Sequence, residues 1–255
     1  MDEKNLLQAR IRELGERCRM ADIPTHTNFL TIGEQSANGF GHENTGTREG
    51  VPYVLAGGFP EAERRVVCFL PDYLSPEDFS EDDVIACIET KVQGEKFAGK
   101  LTHRDYLGAL MGLGIEREMA GDILVTENGA CLFVMQELGA YVEEKLREVG
   151  RERVEARIIP CGQCSIRPKS EVIEGSTASA RLDAVTAFVF RLSRQDAKEL
   201  IDREQVFVDG EVRRASYELK EGERVSVRGY GKFVYEGVLG TTKKGRERTR
   251  VRRFV

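Results

Sequence analysis

Apolar residues near the start of the chain recur at three- and four-residue steps, as Leu6, Leu7, Ile11, Leu14 and Cys18. That spacing puts them on one stripe of an amphipathic helix, which ends before Pro24. A Gly/Asn/Thr-rich stretch over 33–50 precedes an apolar segment at 53–56, a Gly57-Gly58 turn and an apolar run over 66–70. This reads as a small α/β unit occupying 1–74. Beyond Ser75-Pro76-Glu77-Asp78, strand-length apolar runs at 84–90, 122–126, 130–135 and 154–159 interleave with helical spacing at 102–111 and 137–149. The order β-α-β-β-α-β is that of the ferredoxin-like split motif and predicts an α-β plait over 75–160. Pro160, Gly162, Pro168, Gly175 and the cluster Ser176-Thr177-Ala178-Ser179 mark a linker over 161–175.

The pattern changes again after 176. Leu182, Val185 and Val189 line one face of a helix opened by Arg181, and a break follows at Arg191-Leu192. Ser193 with Asp196 three residues later has the capping-box spacing. The helix it opens runs to about Arg203, with Ala197, Leu200 and Ile201 inward and Arg194 and Lys198 together on its flank. Val206-Phe207-Val208 meets Asp209-Gly210, a hairpin signal. Val225 and Val227 alternate with Arg224, Ser226 and Arg228, which predicts a strand with one buried and one mostly basic face. The whole chain is therefore expected to be α+β: an N-terminal α/β unit, a central plait, and a module over 176–255 of two helices plus a small β-sheet.

Charge sharpens this division. The 255 residues carry a net −5, but 176–255 holds 18 basic and 12 acidic residues, a net +6, against 20 and 31 before it, a net −11. Such asymmetry points to an interaction module with an anionic partner. Within it, Arg228-Gly229-Tyr230-Gly231-Lys232-Phe233 interleaves aromatics with cations, a composition suited to stacking on unpaired bases. Lys244, Arg246, Arg248, Arg250 and Arg252 are basic at every second position, and 243–253 has seven bases against one acid, Glu247. As a strand, this tail would present a line of cations; a solvated edge strand would favour the same charges.

The six cysteines do not form a disulfide framework. Cys18, Cys68, Cys87 and Cys131 stand singly in apolar segments, and only Cys161-Gly162-Gln163-Cys164 has ligand spacing. A closed zinc site needs four ligands and no second pair accompanies this one, so neither a metal nor another cofactor is expected. The longest apolar run, 130–135, is far short of the ~20 residues that span a bilayer, and the charged start Met1-Asp2-Glu3-Lys4 is unlike a secretory signal. A cytoplasmic protein without membrane contact is expected.

The series Arg181-Leu182-Asp183, Ser193-Arg194, Ala197, Leu200-Ile201, Val206-Phe207-Val208-Asp209-Gly210 and Val225-Ser226-Val227 resembles the S4 RNA-binding domain. That family commonly has Gly where Glu204 stands and Asn where Asp209 stands. With the segment at 228–233, the stretch from His103 to Ile115 and Gly57-Gly58-Phe59-Pro60, the chain resembles the bacterial YlmH family over nearly its full length. The resemblance implies a non-catalytic RNA-binding protein acting on the large ribosomal subunit, in quality control of stalled translation, with peptidyl-tRNA and ribosomal RNA as partners. The RNA-binding residues implied by the resemblance and the charge pattern are Arg181, Ser193, Arg194, Lys198, Arg228, Tyr230, Lys232, Phe233, Lys243, Lys244, Arg246 and Arg248. The competing expectation is an RNA-modifying enzyme of the pseudouridine synthase type, whose catalytic Asp lies in an Arg-Leu-Asp triplet like that of Asp183. Here the triplet opens an S4 helix, where an acid favours the positive end of the dipole without any chemistry. His103-Arg104-Asp105 similarly reads as a capped helix start after Thr102 rather than a kinase loop, since Leu110 stands where that loop needs Asn.

Overall fold

The computed structural model describes residues 3–41, 43–94, 101–241 and 245–254. It divides into two compact units, Met1–Arg167 and Pro168–Val255.

In the first unit, α1 (Glu3–Ala21) packs on a sheet of β1 (Thr25–His26), β2 (Thr45–Arg48), β3 (Val51–Ala56) and β4 (Val66–Phe69), ordered β1-β4-β3-β2. The expected stripe of α1 holds for Ile11, Leu14 and Cys18, which are buried, whereas Leu6 is exposed. Adjacent residues on a helix point about 100° apart, so Leu6 and Leu7 cannot both face the core. The Gly/Asn/Thr-rich stretch contains, besides β2, a short helix α2 (Ile32–Ala37) opened by a Thr31–Glu34 capping box.

The plait follows as β5 (Ile85–Val92), α3 (His103–Gly112), β6 (Ala120–Val125), β7 (Gly129–Met135), α4 (Gly139–Lys145), β8 (Glu148–Val149) and β9 (Glu152–Ile159). Its sheet order, β6-β7-β5-β9-β8 with antiparallel pairing throughout, is the expected split-motif topology. At the start of α3, Asp105 accepts from the Thr102 N–H at 2.8 Å and hydroxyl at 2.7 Å, as the capping reading expects. The helix expected over 137–149 stops at Lys145, and 148–149 instead forms a hairpin strand against β9.

One face of the plait sheet packs Ile88, Leu132 and Val134 under Tyr106, Leu110 and Val142 of the two helices. The other face, with Ile85, Cys87, Cys131 and Phe133, shares a core with Phe29, Ala56, Val66 and Cys68. Every residue of β7 is buried because apolar material covers both faces, which explains its unbroken run of apolar side chains. Residues expected as two modules, 1–74 and 75–160, thus contribute to one core.

The second unit comprises β10 (Ser170–Thr177), α5 (Leu182–Phe190), α6 (Arg194–Asp202), β11 (Val206–Val208), β12 (Glu211–Val212), β13 (Arg224–Val227), β14 (Gly231–Thr241) and β15 (Glu247–Phe254). The linker expected over 161–175 is corrected here. Residues 170–175 belong to β10, which pairs with β15 residue by residue from Ser170–Phe254 to Thr177–Glu247. The sheet is accordingly six-stranded, ordered β10-β15-β14-β13-β11-β12. Proline and glycine around 160–175 are compatible with such a strand, since Ser170–Thr177 lies at the sheet edge. Leu182, Val185, Val189 and Ile201 bury against Val206, Val208, Val225, Val227, Phe233, Tyr235 and Val251.

Candidate nucleic-acid interface

Arg181 immediately precedes α5 in extended conformation, and Asp183 sits in the helix's first turn with its side chain 5% exposed. The Asp183 carboxylate accepts two hydrogen bonds from Arg181, both at 3.1 Å, and two from Arg194 at the start of α6, at 3.1 and 3.4 Å. Burial pushes the Asp183 carboxyl up, but the hydrogen bonds and charges of the two guanidinium groups outweigh it and hold the carboxyl below the usual carboxylate range. One acid thus fixes two arginines from different helices. Each guanidinium carries five N–H donors, so both keep donors for an anion, and their rotamers are already restricted before one arrives.

Ser193 serves α6 directly. Its hydroxyl accepts from the Asp196 N–H at 3.0 Å, and its own N–H donates to the Asp196 carboxylate at 3.3 Å. Lys198, one turn beyond Arg194, pairs with Asp202 at 3.1 Å in an exposed contact. Asp183, Arg194, Gln195, Lys198 and Glu199 border one shallow depression. The structure therefore brings Arg181, Arg194 and Lys198 together on the helical side of the unit, with Ser193 as a positioning residue.

A second basic surface lies on the opposite side of the sheet. Along β15, Thr249 and Val251 face the core while Arg248, Arg250 and Arg252 alternate outward. The tail is an interior strand, flanked by β10 and β14, so the edge-strand explanation of its charges does not apply. Register carries this face across the sheet: Arg252 lies beside Val234, Val234 beside Arg224, and Lys232 beside Ser226. Two cations on it cover aromatic rings, Arg224 over Phe254 at 5.7 Å and Arg228 over Phe207 at 5.0 Å. Acids temper the charge, because Glu174 pairs with both Arg248 at 2.9 Å and Arg250 at 2.7 Å, and Glu236 pairs with Arg252 at 3.0 Å. Arg246 donates to the Ser176 carbonyl at 2.7 Å at the end of the same strand pair.

The segment 228–233 divides between the two environments. Tyr230 is 44% exposed in the tight turn between β13 and β14, where Gly229 and Gly231 adopt φ of 80° and 120° that side chains resist. Its ring meets Phe190 at 5.8 Å. Phe233 is 0% exposed and packs among the core residues of the unit, which corrects its expected role in base stacking. The alternation along β14 turns Phe233 inward as surely as it turns Lys232 outward. Lys243 and Lys244 lie outside the described residues. Arg250 and Arg252 were marked by the basic alternation, but their anchors Glu174 and Glu236 are legible only once β10, β14 and β15 are paired. The role of Asp183 as a clamp likewise carries no local signal, since Arg194 is eleven residues away.

Comparison with known proteins agrees with this architecture. A family model described as "Putative RNA-binding domain in YlmH" matches residues 79–163, and an S4 domain model matches 181–225. The chain is 32% identical over 203 residues to the "Ribosome-associated protein quality control protein P2" of Bacillus subtilis (strain 168), covering 78% of this chain and 76% of that protein. Among solved structures it is similar to the "Cell division protein ylmH from Streptococcus pneumoniae", with a TM-score of 0.51 and 23% identity over 66% of this chain and 96% of the other, a likeness in fold. With an S4 domain built around the Asp183 clamp, a plait matched by the YlmH RNA-binding model, and a curated relative aligned over most of both chains, the protein belongs to the YlmH family of S4-domain RNA-binding proteins.

Proposed function

We propose that this chain is a non-catalytic binder of structured RNA that works on the large ribosomal subunit, contacting ribosomal RNA and peptidyl-tRNA during quality control of stalled translation. The observation that carries the reading is the trio Arg181, Arg194 and Lys198, with two guanidinium groups pre-positioned by one buried carboxylate. Paired in this way, Asp183 acts as an electrostatic anchor, which favours binding over the synthase alternative. The relative's role in ribosome-associated quality control supports the site of action. Arg228, Lys232, Arg246 and Arg248 extend the contact from the sheet side, with Tyr230, beside Phe190 of α5, available for stacking. Lys243 and Lys244 would add phosphate contacts.

Phosphate contacts release counterions, so log affinity falls with log salt by ~0.7–0.9 per contact. About five contacts would give a slope near −4, and Arg194→Ala combined with Lys198→Ala should flatten it by about 1.4–1.8 while weakening binding to large-subunit RNA. An unchanged affinity and slope would sink the proposed surface. Crosslinking in cells followed by sequencing of the attached RNA tests the partners: tRNA together with large-subunit RNA is expected, and messenger RNA alone would overturn the ribosomal reading. The synthase alternative is met by assaying bulk RNA for a modified nucleoside whose appearance depends on Asp183; none is expected.

A further inference from the structure

Three cysteines that lie far apart in the sequence meet in the core of the first unit. Cys87 comes from β5, Cys131 from β7, and Cys164 from the turn that follows β9, and their three Sγ atoms all lie within 4.8 Å of one another. Cys87 and Cys131 share a face of the plait sheet as diagonal neighbours, since Cys87 pairs with Phe133 and Cys131 with Glu89. The third sulfur is delivered by a braced turn. The Cys161 N–H donates to Asp82 at 2.7 Å, the Gln163 N–H to the Pro160 carbonyl at 2.8 Å, the Cys164 N–H to the Cys161 carbonyl at 3.1 Å, and the Arg167 guanidinium to the Cys164 carbonyl at 2.6 Å.

Sulfurs in this arrangement are close to the geometry of a thiolate metal site. With metal–sulfur bonds near 2.3 Å, ligand sulfurs stand about 3.8 Å apart around a tetrahedral ion and about 4.0 Å apart in a trigonal one. The trio needs to contract by less than about 1 Å to reach either. Cysteine binds a metal as the thiolate. Soft thiolates select Cu(I) and Zn(II) over hard cations. A fourth sulfur lies on the same turn: Cys161 is buried, and its Sγ approaches the Ile85 carbonyl at 3.7 Å.

We propose that Cys87, Cys131 and Cys164 form a buried structural site for a thiophilic d10 cation, which staples the turn at 161–164 to β5 and β7. Alone the trio suits a three-coordinate Cu(I); with Cys161 turned from the Ile85 carbonyl it makes a four-sulfur site for Zn(II). Binding exchanges thiol protons for the metal, and the protons leave to solvent.

The test uses the full chain, reduced and desalted under anaerobic conditions, titrated with Cd(II) alone. A thiolate-to-metal charge-transfer absorbance saturating at one equivalent, and a higher thermal midpoint, are expected. A Cys87→Ala or Cys131→Ala variant should bind Cd(II) more weakly by at least the ~10–100-fold that loss of a mere supporting partner costs, whereas Cys18→Ala, in the separate core beneath α1, should leave it unchanged. Should a variant lose its native circular dichroism, 113Cd NMR of the wild-type complex decides in its place, through a resonance in the thiolate region. Parallel titrations with Zn(II) and Cu(I) on wild type and Cys161→Ser separate the two ions: Zn(II) affinity lost with Cu(I) retained supports the trio with Cys161 as fourth ligand, and both retained supports the trio alone. Absence of a saturable Cd(II) signal in the wild type, or a signal untouched by loss of Cys87 or Cys131, would overturn the site and leave the three cysteines as packing groups.

Discussion

Asp183 shows how much one side chain can organise. It is nearly buried, yet two arginines hold its charge in place. Asp183→Asn should destabilise the second unit by about 1.5–3 kcal/mol, the usual worth of hydrogen bonds to a charged group, as read by urea unfolding. Because the folded carboxyl titrates below its unfolded value of about 3.9, its contribution is fully present above that pH and is lost as pH falls through the lower folded value. The gap between wild type and Asp183→Asn should stay constant from about pH 5 to 8 and close below about pH 4; a gap that widens in acid would contradict the pairing. Glu204 illustrates a residue at odds with its backbone. The Glu204 N–H donates to the Ile201 carbonyl and the Gln205 N–H to the Leu200 carbonyl, which closes α6 in a Schellman arrangement with Glu204 at φ 54°. That left-handed position explains why S4 domains commonly carry Gly there, and Asp209 at φ 48° explains the Asn of the hairpin. Glu204→Gly should raise stability by about 0.5–1 kcal/mol, seen as a higher urea midpoint.

At the level of elements, local rules succeeded where short-range pairing governs. The Ser193–Asp196 box, the break after Phe190 and the Asp209-Gly210 hairpin are all set by residues within a few positions of one another. The strand β10 reads locally as linker because its partner lies seventy or more residues further along. No window around 170–177 contains the reason for its extension. The β10–β15 pair is closed on its inner face by a buried hydrogen bond between the Thr177 and Thr249 hydroxyls at 2.6 Å. Thr249→Val should cost about 1–3 kcal/mol by leaving the Thr177 hydroxyl buried without its partner, and adding Thr177→Val should recover much of that loss. Denaturation of the two single variants and the double variant measures this coupling, and simple additivity would count against it.

For the molecule as a whole, the core of the first unit crosses the boundary that the turn-rich segment at 75–78 had marked. Phe133 of the plait stacks on Phe59 of the preceding segment at 5.2 Å, and both are buried. Phe133→Ala should destabilise the first unit by about 3–5 kcal/mol. Differential scanning calorimetry should show that loss as a single shifted transition for Met1–Arg167, with the transition of Pro168–Val255 unmoved. A split of the first transition into two would restore the three-module division. The charge asymmetry belongs to this scale as well: the described cations lie on two sides of one sheet, Arg181, Arg194 and Lys198 with the helices and Arg248, Arg250 and Arg252 on the other face, so the proposed contact with RNA wraps a module instead of lying on a single patch. No helix among the described residues is long and apolar enough to cross a membrane.

Hydrophobic period, capping residues and charge counts determined most of the helices, the element order of the plait and the basic C-terminal module, because each depends on side chains close together along the chain or on simple sums over it; the S4 domain and the family were legible only through the resemblance of short motifs. Tertiary structure alone decided that Phe233 is core and Tyr230 surface, that 170–177 is a strand, and that Glu174 and Asp183 each hold two arginines. It also decided that solitary cysteines at 87 and 131 stand beside Cys164. Such contacts join residues whose separation in sequence carries no periodic signal, and only strand pairing and the packing of helices and turns bring them within reach.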